Sequence, residues 1–259
     1  MMDFFSAIVL GVVEGMTEFL PVSSTGHMIL ASHLMRLEQS DLLKCFEVVI
    51  QLGSILAVVF VFFGELKLNV SLWKKLLVGF LPTAIVGFAA YKVVKGFFVP
   101  ETVAYALIVG GFVFIFVELW HKKTNFVPRV NSVEDVSFKD AFVVGLAQIL
   151  AMIPGTSRSG STIVAGLLAG LSREVAAKFS FFLAIPTMFA ATLYDTYKNR
   201  ELFLQNDSNV LLFLVGGLVA FLVALVVIKL FLRFVSKFGY IAFGLYRILA
   251  GVVFLVFLF

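Results

Sequence analysis

Charged side chains are scarce in this chain: only 14% of its 259 residues are Asp, Glu, Lys or Arg, while 61% are hydrophobic and mean hydropathy is +1.06. Soluble domains carry about a quarter of their residues as charges, so the shortage excludes an ordinary water-soluble fold and puts the chain in a membrane. Cysteine is scarcer still. Cys45 stands alone, can close no intrachain disulfide and matches no metal-ligand spacing; it reads as a small apolar residue near a helix start. No basic segment and no small-residue cleavage site precede Glu14, so removal of a signal peptide is not expected. Acid is in short supply too, leaving a net charge of +4 and a pI near 9.2. In a soluble protein that balance would suggest nucleic acid. Here Lys and Arg sit in short loops between apolar spans, which is the mark of membrane topology, and nucleic-acid binding is not expected.

What remains reads as an all-α polytopic integral membrane protein, a single domain over residues 1–259. Phe4 to Leu20 is apolar, carries Glu14 and Glu18, and stops at Pro21. The next run, Thr25 to Met35, covers only ~16 Å at ~1.5 Å per residue, about half a hydrocarbon core. Two short helices meeting at a polar break predict a re-entrant pair over 4–35, and irregular backbone at that depth implies a wet cavity. After a polar loop over 36–45, crossings are predicted at 46–63, 76–91 and 103–120. A polar segment, 121–139, reads as a surface loop between two halves. A second re-entrant pair follows over 138–171, broken at Pro154, and then crossings at 179–197, 210–235 and 240–258, making about six in all.

The halves, 1–120 and 138–259, look like an inverted repeat. Pro21-Val-Ser-Ser-Thr-Gly and Pro154-Gly-Thr-Ser-Arg-Ser-Gly share one pattern, with Arg158 as the one-residue difference, and Phe46 and Phe179 each lie 25 residues beyond their proline. Three crossings between the two breaks place them on opposite sides of the membrane. Lys67, Lys74, Lys75, Lys122, Lys123, Arg129, Lys139, Arg173, Lys178, Lys229, Arg233 and Lys237 then share one side. Arg36, Lys44, Lys92, Lys95, Lys198 and Arg200 fall on the other, mostly beside acids. The positive-inside rule makes the first side cytoplasmic, so the first pair enters from outside and the second rises to meet it.

Ionisable groups inside a bilayer are read as functional by default. Glu14 and Glu18 are four apart, so a helix puts both carboxylates on one face. Such a pair suggests a Mg²⁺ or Ca²⁺ site or a shared proton, although capping by nearby hydroxyls or Lys is the plainer alternative. Ser23, Ser24 and Thr25 begin the second short helix, where hydroxyls cap and amides attract anions, phosphate above all. His27 lies one helical turn beyond Ser24, a candidate base for its hydroxyl. Arg158 lies where Gly155 and Gly160 allow close backbone approach and Ser157, Ser159 and Thr162 offer donors. Its fork suits phosphate oxygens, and a salt bridge to Glu14 or Glu18 is the alternative that can coexist with it. Glu47, Gln51 and Ser54 are expected behind these groups, and Glu118 and Arg247 are read as structural or interface residues. Cation clamp, hydroxyl, base and arginine are the parts that phosphoryl transfer needs.

EGMTEFLPVSSTGH, FEVVIQLGSILAV and PGTSRSGST resemble the undecaprenyl-diphosphatase, or bacitracin-resistance protein, family over nearly the full length. The resemblance implies hydrolysis of undecaprenyl diphosphate to the monophosphate carrier lipid at the outer face of the bacterial plasma membrane, feeding peptidoglycan synthesis. In the mechanism expected here, the polyprenyl tail lies among helices and membrane lipid while Ser24 attacks the terminal phosphorus. His27 handles the proton, Glu14 and Glu18 hold the divalent ion or position water, and Arg158 neutralises charge; attack by metal-activated water is the variant. A lipid-phosphate transporter or flippase is the rival, because inverted repeats with broken helices also build carriers. The sequence leaves open whether a homodimer forms.

Overall fold

The computed structural model describes residues 2–89, 100–204 and 207–258, and apart from one isolated bridge between Val130 and Leu171 the regular structure among them is helical. The first half contains α1 (Phe4–Thr17), α2 (Ser24–Leu34), α3 (Asp41–Val49), α4 (Gln51–Val61), α5 (Val70–Ala89) and α6 (Pro100–Lys123). The second contains α7 (Phe138–Gln148), α8 (Arg158–Leu168), α9 (Arg173–Lys198), α10 (Asp207–Phe238) and α11 (Ile241–Leu258). Among the described residues, five stretches are long and apolar enough to cross a bilayer: Asp41–Val61, Val70–Ala89, Glu101–Lys123, Arg173–Lys198 and Asn209–Phe238. The chain is a multi-pass, all-α membrane protein. The remaining expected crossing, 240–258, is α11, whose described apolar run Ile241–Val256 is shorter. The helices α1, α2, α7 and α8 have 14, 11, 11 and 11 residues. At ~1.5 Å per residue each falls well short of a ~30 Å hydrocarbon core.

Most helices begin before the apolar runs that announce them, because capping hydroxyls and amides extend them into polar sequence. The polar loop expected over 36–45 ends early: Ser40 Oγ accepts the Leu43 amide at 3.3 Å, and α3 starts at Asp41 with Leu43, Cys45 and Phe46 buried. Asn69 Oδ1 accepts the Leu72 amide at 2.9 Å as α5 begins, and Ser172 Oγ accepts the Val175 amide at 3.3 Å at the head of α9. Each satisfies a first-turn N–H that has no intrahelical partner. The segment expected as a surface loop, 121–139, is anchored by buried Val130, Val133 and Val136, by Lys75 Nζ donating to the Glu134 carbonyl at 2.7 Å, and by an Arg129–Asp140 ion pair. Ala90 and Tyr91 of the second expected crossing, with Lys92 and Lys95, lie outside the described residues.

The packing is exchanged between halves. The first broken segment, α1, lies along α10, and its counterpart α7 lies along α5, so each rests on a crossing from the other half. Helices α6 and α11 pair with each other, and α4 packs on both α10 and α9. Gly145 makes the α5–α7 contact feasible, since a Cβ there would stand 2.1 Å from the Gly79 carbonyl oxygen.

Arg247 ties the two breaks together. It is 0% exposed, and its guanidinium donates to the carbonyls of Pro21 (2.9 Å), Gly155 (3.1 Å) and Thr156 (3.0 Å) as well as Ala106 (3.0 Å) and Leu107 (3.3 Å) on α6. Glu118, the other residue read as structural, pairs with Arg173 at 2.8 and 2.7 Å and accepts the Tyr240 amide at 3.1 Å.

An ammonium cannot reach five acceptors in a planar fan. Arg247→Lys should therefore lower the unfolding temperature of the detergent-purified protein by roughly 10 °C, the size expected for a loss of ~3 kcal/mol from buried acceptors left unmet. The exposed Arg233→Lys should leave it unchanged, and equal midpoints for the two variants would contradict the clamp.

Candidate active site

The two breaks are built alike. After α1 the chain turns through residues 18–23, and Ser23 caps α2 with its Oγ accepting the Gly26 amide at 3.4 Å. After α7, Ser157 caps α8, its Oγ accepting the Gly160 amide at 3.1 Å. Both caps sit in the left-handed region, at φ 72°. A side chain other than glycine is rarely held there, and the strain of about 1–3 kcal/mol is characteristic of functional turns. This alignment revises the repeat. Ser24, Thr25 and Gly26 match Arg158, Ser159 and Gly160, so the extra residue lies between Pro154 and Ser157, and Arg158 is the counterpart of Ser24.

Those two counterparts meet on one carboxylate. Ser24 Oγ donates to Glu18 Oε2 at 2.7 Å, while Arg158 donates to Glu18 Oε1 from Nη2 at 3.0 Å and Nε at 3.3 Å. Arg158 is held from behind by the Ser180 carbonyl at 2.9 Å, and Thr162 Oγ1 lies 2.7 Å from Ser180 Oγ. Ser159 Oγ donates to the Leu20 carbonyl at 3.0 Å, so the second break also caps the first. Beside them opens a cavity of about 380 Å³ whose walls include Glu18, Ser23, Ser24 and Thr25 from one break and Gly155, Ser157 and Arg158 from the other.

The other expected residues stand back from that wall. Glu14, one turn before Glu18, is fully buried; its Oε1 accepts from Ser54 at 3.3 Å and its Oε2 has no partner among the described residues. Gln51 borders the cavity, and Glu47 Oε1 is likewise unpartnered. The expected contact between His27 and Ser24 is replaced by others. His27 Nδ1 donates to the Ser23 carbonyl at 2.8 Å, and Nε2 pairs with the Tyr246 hydroxyl at 2.6 Å over a stacked ring pair. A ring one turn along α2 is better placed to reach its own helix-cap carbonyl than to bend toward Ser24. Sequence reasoning missed Tyr246 and Ser180, and it placed Arg247 outside the site. The signal for Arg247 was present, an arginine in an apolar run; for the hydroxyls there was none.

The donor set suits a hard cation. An unpartnered carboxylate oxygen on Glu14 one turn from Glu18 offers oxygen ligands, and among the described residues no three His, Cys, Asp or Glu converge as a closed cage. A magnesium ion held by one or two carboxylates would take its remaining ligands from phosphate oxygens and water. A hydroxyl hydrogen-bonded to a carboxylate, with a guanidinium alongside, can transfer a phosphoryl group.

Fold and site together define the class: an integral membrane protein in which a carboxylate, a hydroxyl and a guanidinium from two broken helices face one chamber. Residues 7–253 match the bacitracin resistance protein BacA, and the chain belongs to that family. It is 67% identical over 257 residues to the undecaprenyl-diphosphatase of Campylobacter fetus, covering 99% of this chain and 100% of that protein. It is 60% identical over 256 residues to the undecaprenyl-diphosphatase of Campylobacter hominis and 55% identical over 258 residues to that of Wolinella succinogenes, with 99% of both chains covered in each case.

The strained cap gives a stability test. Ser157→Gly loses a hydrogen bond but relaxes the backbone, whereas Ser157→Ala loses the bond and keeps the strain. Chemical or thermal unfolding should find the Ala variant the less stable of the two by about 1 kcal/mol; the reverse order would argue against a left-handed cap.

Proposed function

We propose that this chain is an undecaprenyl-diphosphatase, hydrolysing the polyprenyl diphosphate carrier lipid to its monophosphate and inorganic phosphate in the bacterial plasma membrane. One observation carries the chemistry: Glu18 accepts the Ser24 hydroxyl on one oxygen and Arg158 on the other. Ser24 is the nucleophile. Its oxygen forms a bond to the terminal phosphorus as the bond from that phosphorus to the bridging oxygen breaks, and its proton passes to Glu18 Oε2. Arg158 leaves Glu18 for the phosphate oxygens, where the guanidinium meets the charge growing on the transferred group. Water then hydrolyses the phosphoserine, with Glu18 returning the proton. Thr25, Ser157 and the backbone at Gly155 line the phosphate's seat, Ser23 and Ser157 cap the two helices, Ser159 ties the second break to Leu20 of the first, and Thr162 braces Arg158 through Ser180. His27, bonded to the Ser23 carbonyl and to Tyr246, holds the left-handed turn that aims Ser24.

Glu14 and Glu18 are the residues that would hold a Mg²⁺ or Ca²⁺ ion. An ion there would supply positive charge to the diphosphate oxygens and polarise the phosphoryl group.

The inverted repeat of 1–120 and 138–259 is supported by the matched caps and the exchanged packing of α1 on α10 and α7 on α5. With the lysines and arginines on the cytoplasmic side, the first break faces outward, and the chamber takes the diphosphate from the outer leaflet. A carrier for lipid phosphates would share this architecture, but it has no need of a hydroxyl poised on a carboxylate.

Phosphate release from a C15 or C55 diphosphate by the purified protein, with and without chelator, decides between them. Release should require a divalent ion. It should fall at least about 100-fold in Ser24→Ala, Glu18→Gln and Arg158→Lys, the range for losing a nucleophile or a charge-stabilising donor. Near-normal turnover in Ser24→Ala would replace the phosphoserine with direct attack by water, and no release under any metal condition would favour the carrier.

A further inference from the structure

A second cavity, of about 300 Å³, opens where the last turn of α6, the first turn of α9 and the last turn of α10 come together, and no step of the proposed reaction uses it. It is remote from the chamber. On α6, the Ala106 and Leu107 carbonyls face Arg247 at the breaks, and His121 on the cavity wall lies fourteen residues further, roughly 21 Å along the helix axis.

Its wall is furnished for a ligand. His121 is 7% exposed, its ring is pinned by stacking on Phe126 with centroids 4.2 Å apart, and its Nε2 is buried with no partner among the described residues. A buried ring nitrogen without a partner is uncommon and costly, and with the ring proton on Nε2 a bound acceptor would satisfy it. The head of α9, a helix of 26 residues, supplies a second feature. Ser172 Oγ takes the Val175 amide, and the Arg173 and Glu174 amides have no acceptor among the described residues, leaving N–H groups and the positive end of the helix dipole at the wall. Cations are the third. Lys122 is exposed on the rim, and Arg173 is fixed by Glu118 through Nε and Nη2, with no bond to Nη1 among the described residues. Glu174 is the acid on this wall, and because Glu118 pairs with Arg173, the positive charge left to a ligand is that of Lys122 and the helix end.

The geometry points to a second anion site here, taking a phosphate-bearing group at the membrane face opposite the mouth of the chamber. The phosphate can belong to a lipid headgroup or be free orthophosphate, the chemistry of recognition being the same.

Trp120, its ring centroid 5.3 Å from that of His121, is a built-in reporter. The chain has two tryptophans, so Trp73→Phe leaves Trp120 alone. In one arm, this full-length protein in detergent is titrated with sodium orthophosphate against sodium chloride of equal ionic strength. In the other, nanodiscs in phosphate-free buffer are compared, made of phosphatidylcholine, whose phosphodiester is neutralised by its own choline, with and without phosphatidylglycerol, whose phosphodiester keeps its negative charge. A saturable, phosphate-specific change in Trp120 emission assigns the free ion, and a change that needs phosphatidylglycerol assigns the headgroup. Either should weaken roughly tenfold in His121→Phe and in Lys122→Gln, the latter an exposed position that leaves the fold intact. Phosphate release by both variants should stay at the parent level, separating this site from the chamber. No change in either arm, or one that survives both substitutions, overturns the proposal.

Discussion

The guanidinium of Arg247 is the fixed point of this structure. The two helix breaks expose carbonyls that no helix can satisfy and that no water in a bilayer core would solvate. One side chain meets Pro21 from the first break and Gly155 and Thr156 from the second, and holds both against α6. No carboxylate partners it among the described residues, so its charge is balanced by carbonyl dipoles alone. That arrangement leaves every acid at the breaks free for other work.

Glu18 takes up that work. A buried ion pair contributes little to stability once the desolvation of both partners is counted, so Arg158 and Glu18 are poorly explained as a brace. They are better explained as a pair waiting to be parted. Arg158 keeps the Ser180 carbonyl whether or not it holds Glu18, and Glu18 keeps Ser24 whether or not it holds Arg158. An incoming phosphate can therefore exchange with the carboxylate at the guanidinium without dismantling either side. The two serines held at positive φ keep the first residues of α2 and α8 aimed at that point, and the His27–Tyr246 pair locks one of them.

Much of this was legible in the sequence. Proline, hydroxyl and glycine clusters between apolar runs marked both breaks, and acids in oil marked the site, because burying a charge in lipid needs a reason. Helix starts were less legible: α3, α5 and α9 begin at Ser40, Asn69 and Ser172 caps within sequence too polar to read as membrane. Helical spacing brought His27 near Ser24 but could not say which acceptor a mobile ring would choose. Its carbonyl and its tyrosine partner come from 4 and 219 residues away, and only the second needed the tertiary fold. Arg247 failed in the opposite way. Its cost was visible, while its five acceptors come from three separate segments that no spacing rule connects.

The duplicated break also explains why the site is asymmetric. Equivalent positions, the first residues of α2 and α8, present a hydroxyl in one half and a guanidinium in the other, and both converge on the single acid that ends α1. A repeat with two serines would offer no positive charge, and one with two arginines no nucleophile. A symmetric binding site that opens alternately to two faces gains nothing from such a difference, whereas attack on phosphorus requires a donor of electrons on one side and a sink for charge on the other. In the reaction proposed above, the difference at this one position is thus what suits the paired breaks to cleaving a lipid phosphate rather than carrying it.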